Sequence, residues 1–595
     1  MSLQLLLVLL LHLLCCAQSG NAQTLQPLTV YITPQPASGV RNITCGLDSD
    51  HPCWSLADLF ASLGNQDYKA SQLNMTIYMA PGTYPSKGNI NAQLFGLTVT
   101  MAAQNESAPT TIDAGFEGGP ILVVQEPTTS VPANASTTIS VRGVTFQGGN
   151  NKNGDGGAIS AMITNSSMSI TLTNCTFNNN TAGDNDGGAI NVVFNTSSYD
   201  PAVLARAVLS VDRCLFTANE AKNGGAINTE YTTLLLKHSE FVENSARNGG
   251  AINSASAPIH AMHVLFDSNG VNADGGAILF FNQHVSSSTF DYCNFVDNEA
   301  GVGGAIYLGQ SGLHMRNTNF TNNAARGVGG AVAAKTSPSY LNVSECHLVG
   351  NAGSNGGALY FDEANFDITS TSFVQNTAIQ GGALYFGYAE GDITNVHIDG
   401  NNASLNGGAI FTTFGRFTMN NVTIDNNRAQ LGGTMYCSAS SVTIPQPVII
   451  DNNTDTSHTG NNGDSTDNSG SANEYENRFN IYCSLIPEYT FCTFFGAKDY
   501  IELCGEVPIP QAHSMAKWKL VLIIVGGVLG LGVVAFGIGC LLARSTDKGD
   551  KNYDPILTGI NTGEDDSSIQ DAIDAMDGDI QSSLAIEEDF KDREL

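Results

Sequence analysis

The chain has 595 residues, 42% of them apolar, and is therefore long enough to bury a large core. Charged residues make up only 13% of it, and the formal net charge is −31. A chain this acidic lacks the clustered excess of Lys and Arg that phosphate binding requires, so its composition argues against nucleic acid as a partner.

Residues 1–22 have the pattern of a secretory signal peptide. Leu3–Ala17 is a leucine-rich run that is too short to span a bilayer, and the small residues Ala17 and Ala22 follow as cleavage positions. The sequence therefore predicts that the chain is exported.

Residues 23–120 are predicted to form an N-terminal cap and the first coils of the domain that follows. Two strands and a short helix are expected, at Leu28–Thr33, Met75–Met79 and Trp54–Leu63. Cys45 and Cys53 bracket a loop before that helix, and in an exported protein we expect them to be bonded to each other. Such a cap would cover a sheet edge, whose free backbone groups otherwise pair with other chains.

A repeated pattern occupies residues 121–450. The phrase Gly-Gly-Ala followed by Ile, Val or Leu occurs ten times, beginning at Gly156, Gly187, Gly224, Gly249, Gly275, Gly303, Gly329, Gly356, Gly381 and Gly407, and a degenerate copy begins at Gly432. Most copies are 25 to 28 residues apart, with spacings of 31 and 37 before Gly187 and Gly224. A fixed period in this range is typical of a solenoid, in which each repeat stacks on its neighbours.

A second phrase keeps phase with the first. An apolar residue, most often Phe, is followed three positions later by an asparagine, and these asparagines are Asn180, Asn219, Asn244, Asn269, Asn298, Asn323, Asn351, Asn376, Asn401 and Asn427. Short β-type runs lie between the phrases, and the apolar spacing of a helical repeat is missing. The sequence therefore predicts an all-β fold, a parallel β-helix of stacked coils.

Stacking gives each repeated residue type a role. Parallel strands lie about 4.8 Å apart, so every coil would place its Phe over Phe and its Asn over Asn. We interpret the asparagines as a hydrogen-bonded ladder of amides, at positions that also tolerate left-handed backbone. Gly-Gly permits positive φ and close approach of neighbouring coils. Of the two residues that follow, we expect the Ile to point inward and the Ala to point to the opposite face.

Four cysteines share one repeat position, two residues before the apolar residue of the second phrase: Cys175, Cys214, Cys293 and Cys346. That spacing puts them inside the solenoid, where other repeats have small residues such as Ser239 and Thr318. We interpret them as buried thiols that pack as small apolar groups. A disulfide is the alternative, for which successive coils offer one pair, Cys175 and Cys214. No histidine shares the position, so no metal site is expected there.

The sequence contains thirteen Asn-x-Ser/Thr acceptors for N-glycosylation, at Asn42, Asn74, Asn105, Asn134, Asn165, Asn174, Asn179, Asn195, Asn319, Asn342, Asn402, Asn421 and Asn452. All of them precede the apolar segment near the C-terminus. Their distribution indicates a glycosylated ectodomain.

Residues 451–512 combine a low-complexity stretch rich in Asn, Ser, Gly and Asp with a segment that contains Cys483, Cys492 and Cys504, which are candidates for disulfide bonds. The run 520–542 has 23 residues without a charge and predicts a transmembrane helix. Together with the signal peptide, this helix predicts a single-pass protein of the plasma membrane or another secretory-pathway membrane, with its N-terminus outside.

Residues 543–595 carry 15 acidic residues against 5 Lys and Arg, which predicts a disordered cytosolic tail. Within it, Tyr553 and Ile556 have the spacing of a Tyr-x-x-apolar sorting signal that a cytosolic adaptor would recognise.

The two phrases, from Phe146 to Met435, resemble the repeats of the chlamydial polymorphic outer membrane protein family. The resemblance implies a right-handed parallel β-helix and an adhesin-like surface function. The earlier part of the chain, with Cys45–Cys53, Tyr78–Tyr84 and Thr110–Asp113, looks like the opening coils of pectin-lyase-like β-helices. The C-terminal apolar helix and acidic tail depart from the bacterial family, so a eukaryotic single-pass protein fits the chain better.

The same fold class includes carbohydrate-active enzymes, so we considered acidic residues as catalytic candidates. Asp155, Asp186 and Asp274 precede Gly-Gly pairs, but most repeats have no acid there, and the signatures of β-helix hydrolases are missing. We therefore expect no catalytic, cofactor or metal residues. The first hypothesis is a surface protein that binds a glycan or protein ligand; a structural coat component and a polysaccharide lyase or hydrolase are the alternatives.

Overall fold

The structure is a computed structural model of the chain, and it describes residues 28–34, 52–64, 74–126, 135–196, 206–282, 287–445, 448–456, 481–483 and 492–496. The chain divides into two compact units, Met1–Glu506 and Val507–Leu595, and every described residue belongs to the first. The predicted signal peptide, transmembrane helix, acidic tail and sorting signal lie outside the described residues, as do Cys45, Cys504, Asn42 and Asn134.

The first unit is a parallel β-solenoid. A representative coil runs through strands Thr233–Lys237, Glu240–Val242, Ser245–Asn248 and Ile252–Ala255, and each of them pairs in parallel with its counterpart in the next coil. The coils thus build a large 28-stranded sheet, here called sheet A, and the 14-stranded sheet B. They also build two short sheets, the five-stranded sheet C and the four-stranded sheet D.

Sheet A contains two rows of strands. The row that follows the Gly-Gly corner consists of Ala92–Gln93, Leu122–Gln125, Ile159–Ile163, Ile190–Phe194, Ile227–Glu230, Ile252–Ala255, Ile278–Phe281, Ile306–Gly309, Val332–Ser344, Leu359–Thr369, Leu384–Gly387, Ile410–Thr413, Met435–Ser438 and Ile481–Cys483. The other row consists of Leu28–Ile32, Asn74–Met79, Thr98–Ala103, Ser136–Arg142, Ser167–Thr173, Ala207–Asp212, Thr233–Lys237, Ile259–Met262, Ser288–Asp291, Gly312–Arg316, Glu390–Thr394, Arg416–Asn420, Ser441–Ile444 and Thr493–Gly496. The two long strands, Val332–Ser344 and Leu359–Thr369, belong to both rows.

Sheets B, C and D complete each coil. Sheet B consists of Gly82–Pro85, Thr110–Asp113, Thr145–Gln147, Thr176–Asn178, Leu215–Thr217, Glu240–Val242, Leu265–Asp267, Asn294–Val296, Asn319–Thr321, His347–Val349, Ser372–Val374, His397–Asp399, Thr423–Asp425 and Ile449–Asp451. Sheet C consists of Glu220–Asn223, Ser245–Asn248, Gly270–Val271, Glu299–Ala300 and Ala324–Ala325, and sheet D of Thr377–Gln380, Asn402–Asn406, Arg428–Ala429 and Thr454–Asp455. Isolated bridges at Ala352 connect sheets C and D.

The interior is a column of like side chains, as the repeat pattern predicts. Phe146 pairs with Phe177 in sheet B, and Phe177 with Phe216. Their ring centroids are 4.9 and 4.7 Å apart, with nearly parallel planes. The same stacking continues to Phe320. The strand spacing of about 4.8 Å therefore also sets the spacing of the aromatic core.

The ten repeat asparagines are fully buried and form a continuous ladder. Asn298 is representative: its Nδ2 donates to the Asn323 Oδ1 (2.9 Å) and to the Phe266 carbonyl (3.0 Å). Its Oδ1 accepts hydrogen bonds from the backbone N–H and the Nδ2 of Asn269, both at 3.0 Å. The ladder extends one coil further than predicted, to Asn453.

One detail of the Asn prediction is wrong. The ladder asparagines do not have the left-handed backbone conformation; the residue before each of them does, for example Asp297 (φ 50°) before Asn298 and Asn322 (φ 54°) before Asn323. The asparagine is therefore needed at the turn for its side-chain amide. The residue before it adopts the left-handed backbone conformation, and the type of that residue varies from coil to coil.

The Gly-Gly corner explains why both glycines repeat. The first has positive φ, 59° at Gly249, and the second lies under the backbone of the next coil. A Cβ on Gly250 would lie 2.1 Å from the carbonyl oxygen of Gly276. The corner therefore excludes any side chain at the second position for steric reasons.

The expectation that Ala and Ile point to opposite faces is wrong. Ala251 and Ile252 are both fully buried in the core. Their two N–H groups donate to one carbonyl, that of Ala277 in the next coil, at 2.9 Å each. This shared acceptor marks a local break in strand alternation, so two consecutive side chains enter the interior and the first of them must be small.

The N-terminal cap contains the predicted helix, at Leu56–Gly64. The Ser55 Oγ accepts from the Asp58 N–H (3.1 Å), and the Asn89 Oδ1 accepts from the Leu56 N–H (3.0 Å). Both bonds satisfy donors that a helix leaves free at its N-terminus. Within the described residues, no helix combines the length and apolarity needed to cross a membrane.

Candidate functional site

A groove with a volume of about 1190 Å³ runs along sheet C. It crosses several coils and is lined by Lys152, Gly183, Asp184, Glu220, Ala221, Lys222, Ser245, Ala246, Arg247, Gly270, Val271, Asn272, Glu299 and Arg326. Small residues, among them Ala221, Ala246 and Gly270, belong to its lining. We call this feature the sheet C groove.

Strand alternation points charged side chains outward along the sheet C groove. In Glu220–Asn223 the Ala221 side chain is buried, whereas Glu220 and Lys222 point outward. The same register puts Arg247 outward in the next coil. The lining includes four basic and three acidic residues, so the local charge is slightly positive although the chain carries −31.

The basic side chains of the groove differ in whether they contact other side chains. Arg326 contacts Glu299 (Nε to Oε1, 3.5 Å) and donates to the Asn272 Oδ1 (3.2 Å). The Lys152 and Arg247 side chains make no hydrogen bond or ion pair with other described residues and are exposed. These two side chains are therefore available to an anionic ligand.

Two of the acids considered for catalysis, Asp155 and Asp186, hydrogen-bond to neighbouring coils. The Asp155 Oδ1 accepts from the Asp186 N–H (3.0 Å), and the Asp186 Oδ1 accepts from the Asn223 Nδ2 (2.8 Å). Burial raises the pKa of Asp186, and the nearby Asp155 carboxylate adds to that shift. Burial also raises the pKa of Asp274. Asp155 and Asp186 thus connect successive Gly-Gly corners.

A second polar cluster lies at the C-terminal end of sheet B. His397, Asp399 and Asp425 offer ligand atoms within 4.8 Å of one another. They meet because His397 and Asp399 share one face of a strand and Asp399 pairs with Asp425 in the next coil. The Asp425 Oδ1 is buried without a hydrogen-bond partner among the described residues and lies 3.8 Å from the His397 Nδ1. Imidazole and carboxylate groups are common ligands of divalent transition metals.

The acidic character of this cluster extends one coil further. Asp425 pairs with Asp451, so three carboxylates stack in consecutive coils. Burial raises the pKa of Asp425, the His397 side chain opposes that shift, and the Asp399 and Asp451 carboxylates add to it. This cluster was not predicted from the sequence, although the signal is present in the phrases His397-Ile-Asp399, Thr423-Ile-Asp425 and Ile449-Ile-Asp451.

An aromatic ladder runs along the outer face of sheet A. Tyr360, Tyr385, Phe411, Tyr436 and Tyr482 stack with centroid distances of 4.8, 4.9, 5.0 and 5.1 Å. The repeat phrases do not predict this ladder, because an aromatic residue follows Gly-Gly-Ala in only some repeats and Tyr482 follows no Gly-Gly pair.

The predicted cysteines fall into two groups. Cys175, Cys214, Cys293 and Cys346 are buried free thiols, as interpreted from the sequence. Cys492 is bonded to Cys437, which was not among the predicted candidates, and their Cα atoms are 6.1 Å apart. Cys53 and Cys483 are also disulfide-bonded. The Cys437–Cys492 bond connects strand Met435–Ser438 to the residue that precedes Thr493–Gly496, a strand of the other row of sheet A.

The glycosylation candidates that the structure describes all reach the surface. Eight are exposed, namely Asn74, Asn105, Asn165, Asn179, Asn195, Asn402, Asn421 and Asn452. Asn174, Asn319 and Asn342 are half-buried, and the Nδ2 of each donates to a side chain of another coil. A glycan on these three would replace one hydrogen of a bonded amide.

Comparison with known proteins supports the family resemblance over a short segment. The repeat of the Chlamydia polymorphic membrane protein family matches residues 174–192. This segment includes Phe177, Asn180 and the Gly-Gly pair at Gly187, the residues that build the core column, the ladder and the corner. The chain is thus a β-solenoid protein with a repeat like that of the polymorphic membrane proteins. No curated protein and no solved structure matches it.

Proposed function

We propose that the protein is a membrane-anchored, ligand-binding surface protein of adhesin-like function, whose ligand lies in the sheet C groove. The single observation that carries the proposal is this groove, which gathers exposed cations on an otherwise acidic chain. Repeat proteins use such extended surfaces for binding. The predicted signal peptide and apolar segment 520–542 would hold the solenoid outside the cell.

The chemistry of the groove favours an extended acidic glycan. Lys152 and Arg247 supply charge that no protein group neutralises among the described residues. Asn272 and Ser245 supply exposed polar groups that suit hydroxyls. An extended acidic peptide would satisfy the same cations, and it is the competing ligand.

Binding is tested with cells that display the full chain, exposed to an array of neutral, uronate-bearing and sulfated glycans. We expect saturable binding of the acidic glycans that weakens as salt rises, because exposed charges are screened. Arg247→Ala and Lys152→Ala should each lower the affinity several-fold. Absence of saturable binding to every acidic glycan and peptide would favour a structural coat protein instead.

Lys237→Ala is the matched control, because Lys237 is exposed on sheet A and does not line the groove. It removes the same charge, so a nonspecific electrostatic effect would weaken binding by all three variants equally. A polysaccharide lyase or hydrolase is the further alternative, and release of unsaturated or reducing sugar from pectin-like polymers would identify it.

A further inference from the structure

The interior position that holds small side chains brings two cysteines together. Cys175 and Cys214 occupy it in consecutive coils, because Thr176 pairs with Leu215 in sheet B. The Cys214 Sγ lies 3.4 Å from the Cys175 backbone nitrogen. Both thiols are buried, at 1% and 3% exposure. The Cys214 thiol therefore reaches into the coil of its neighbour.

The other two cysteines at this position are kept apart. Cys293 and Cys346 are separated by the coil of Thr318, as the pairing of Asn294 with Asn319 and of Asn319 with His347 shows. Two strand spacings amount to about 9.6 Å, which exceeds the Cα separation of about 4.4–6.8 Å that a disulfide allows. One spacing, as between Cys175 and Cys214, falls within that range.

We propose that Cys175 and Cys214, which are unbonded in this structure, form a disulfide that links two consecutive coils inside the solenoid. The environment of the chain favours this bond, since Cys53, Cys437, Cys483 and Cys492 are disulfide-bonded. Structural disulfides persist where the compartment is oxidising. Cys175 and Cys214 belong to the same chain and are exposed to the same oxidant while it folds.

The reaction is thiol–disulfide exchange with a small oxidised disulfide such as oxidised glutathione. The thiolate of one cysteine attacks a glutathione sulfur, forming a mixed disulfide and releasing one glutathione thiolate. The thiolate of the second cysteine then attacks the protein sulfur of this mixed disulfide and releases the second glutathione as a thiolate. One disulfide bond forms and one breaks, and the two protons end on two glutathione thiols. Because both sulfurs are buried in the closed solenoid, exchange must precede coil closure, and the finished bond is shielded from reductants.

The bond would close a ring across the longest gap between repeats. The Gly-Gly phrases on either side of this step, at Gly187 and Gly224, are 37 residues apart, against 25 to 28 for most others. A covalent link between these coils holds the register of the stack where the connecting chain is longest.

The test is disulfide mapping of the full chain displayed by eukaryotic cells, blocked with N-ethylmaleimide under denaturing conditions and digested without reduction. We expect a peptide containing the Cys175–Cys214 bond, with Cys293 and Cys346 carrying N-ethylmaleimide. Recovery of N-ethylmaleimide on both Cys175 and Cys214 would overturn the proposal.

Two serine variants sharpen the test, because serine already occupies this position at Ser239. Cys214→Ser should leave Cys175 fully labelled, whereas the matched control Cys346→Ser should leave the Cys175–Cys214 bond intact. If Cys175 remained unlabelled by N-ethylmaleimide in the Cys214→Ser variant, Cys175 would be bonded to a different cysteine, which also contradicts the proposal.

Discussion

At the scale of single residues, the solenoid depends on one amide side chain per coil that serves three partners at once. The Asn298 amide accepts from one neighbouring coil and donates to another, and it also satisfies the carbonyl of Phe266. An aspartate could accept but not donate, and an alanine could do neither. The repetition of asparagine at this position therefore follows from hydrogen-bond geometry in a dry interior.

Asn298→Ala should destabilise the protein by about 3 kcal/mol or more. The substitution leaves several buried backbone and amide groups without partners, and each such group costs about 1–3 kcal/mol. The measurement is thermal or denaturant unfolding of the variant against the wild type.

Asn294→Ala is the control for this prediction. Asn294 lies in the same coil and also accepts an amide hydrogen bond, from Asn319, but it is exposed. Its loss should cost less than about 1 kcal/mol, because water can replace the bond. Equal effects of the two substitutions would contradict the importance of burial for the ladder.

Asp425→Asn should raise the stability at neutral pH. The pKa of Asp425 in the folded protein is raised, first by burial and then by the stacked Asp399 and Asp451 carboxylates, so its ionised form disfavours folding. Like charges in adjacent strands cost about 0.2–1 kcal/mol. The gain should be present above the folded pKa and disappear as pH falls below the ordinary carboxyl pKa of about 4.

Melting temperatures at neutral and acidic pH measure this difference. Asp267→Asn is the matched control, since Asp267 has the same place in its sheet B strand but lies between Val242 and Val296. A variant no more stable than the wild type at pH 7 would rule out repulsion within the acidic stack.

At the scale of the elements, the Gly-Gly corner sets how closely two coils approach. Gly250→Ala should prevent the coil from forming, with a loss above about 4 kcal/mol, because its Cβ would lie 2.1 Å from the Gly276 carbonyl oxygen. Gly270→Ala should change the stability by less than about 1 kcal/mol, since its Cβ would meet nothing closer than the Glu299 carbonyl oxygen at 4.0 Å.

Circular dichroism melting of both variants tests this prediction. A Gly250→Ala protein that melts like the wild type would mean that the coils can separate without cost. A severe loss in Gly270→Ala would show instead that the short sheet C strands tolerate no change.

The sequence predicted the elements that repeat and missed those that do not. The Phe column, the Asn ladder and the parallel stacking follow from phrases that recur at fixed spacing. Sheets C and D have strands of two to five residues, too short for alternation to be visible in a sequence. The groove and the His397 cluster were missed for a related reason, because both combine side chains from different coils. The inward Ala was missed because strict alternation does not hold at the corner, where Ala251 and Ile252 are both buried in the core.

At the scale of the whole solenoid, the stack has two ends where a coil has a neighbour on one side only. The Cys437–Cys492 bond lies at the C-terminal end and closes a sequence separation of 55 residues. A loop of that length corresponds to on the order of 4 kcal/mol in the chain-entropy account. The bond therefore holds the last coils against fraying.

Cys437→Ser should loosen the C-terminal coils and leave the central coils unchanged. Hydrogen exchange of the amides in residues 435–456 should accelerate, while exchange around Asn298 should not, because repeat proteins lose structure locally from their ends. Cys293→Ser is the control, since it removes a free thiol from a position that accommodates serine elsewhere. Uniform acceleration along the chain would contradict a local role.

The in-register ladder also bears on how such a molecule changes in length. Asn269, Asn298 and Asn323 offer each other the same donors and acceptors in every coil, so a gene duplication of one full period would add a winding whose buried contacts are already satisfied. An insertion of one or two residues would break the column unless it fell at an outer bend, as between Lys335 and Ser339, where the register already shifts. The solenoid is thus expected to evolve in whole periods, with smaller changes confined to its bends.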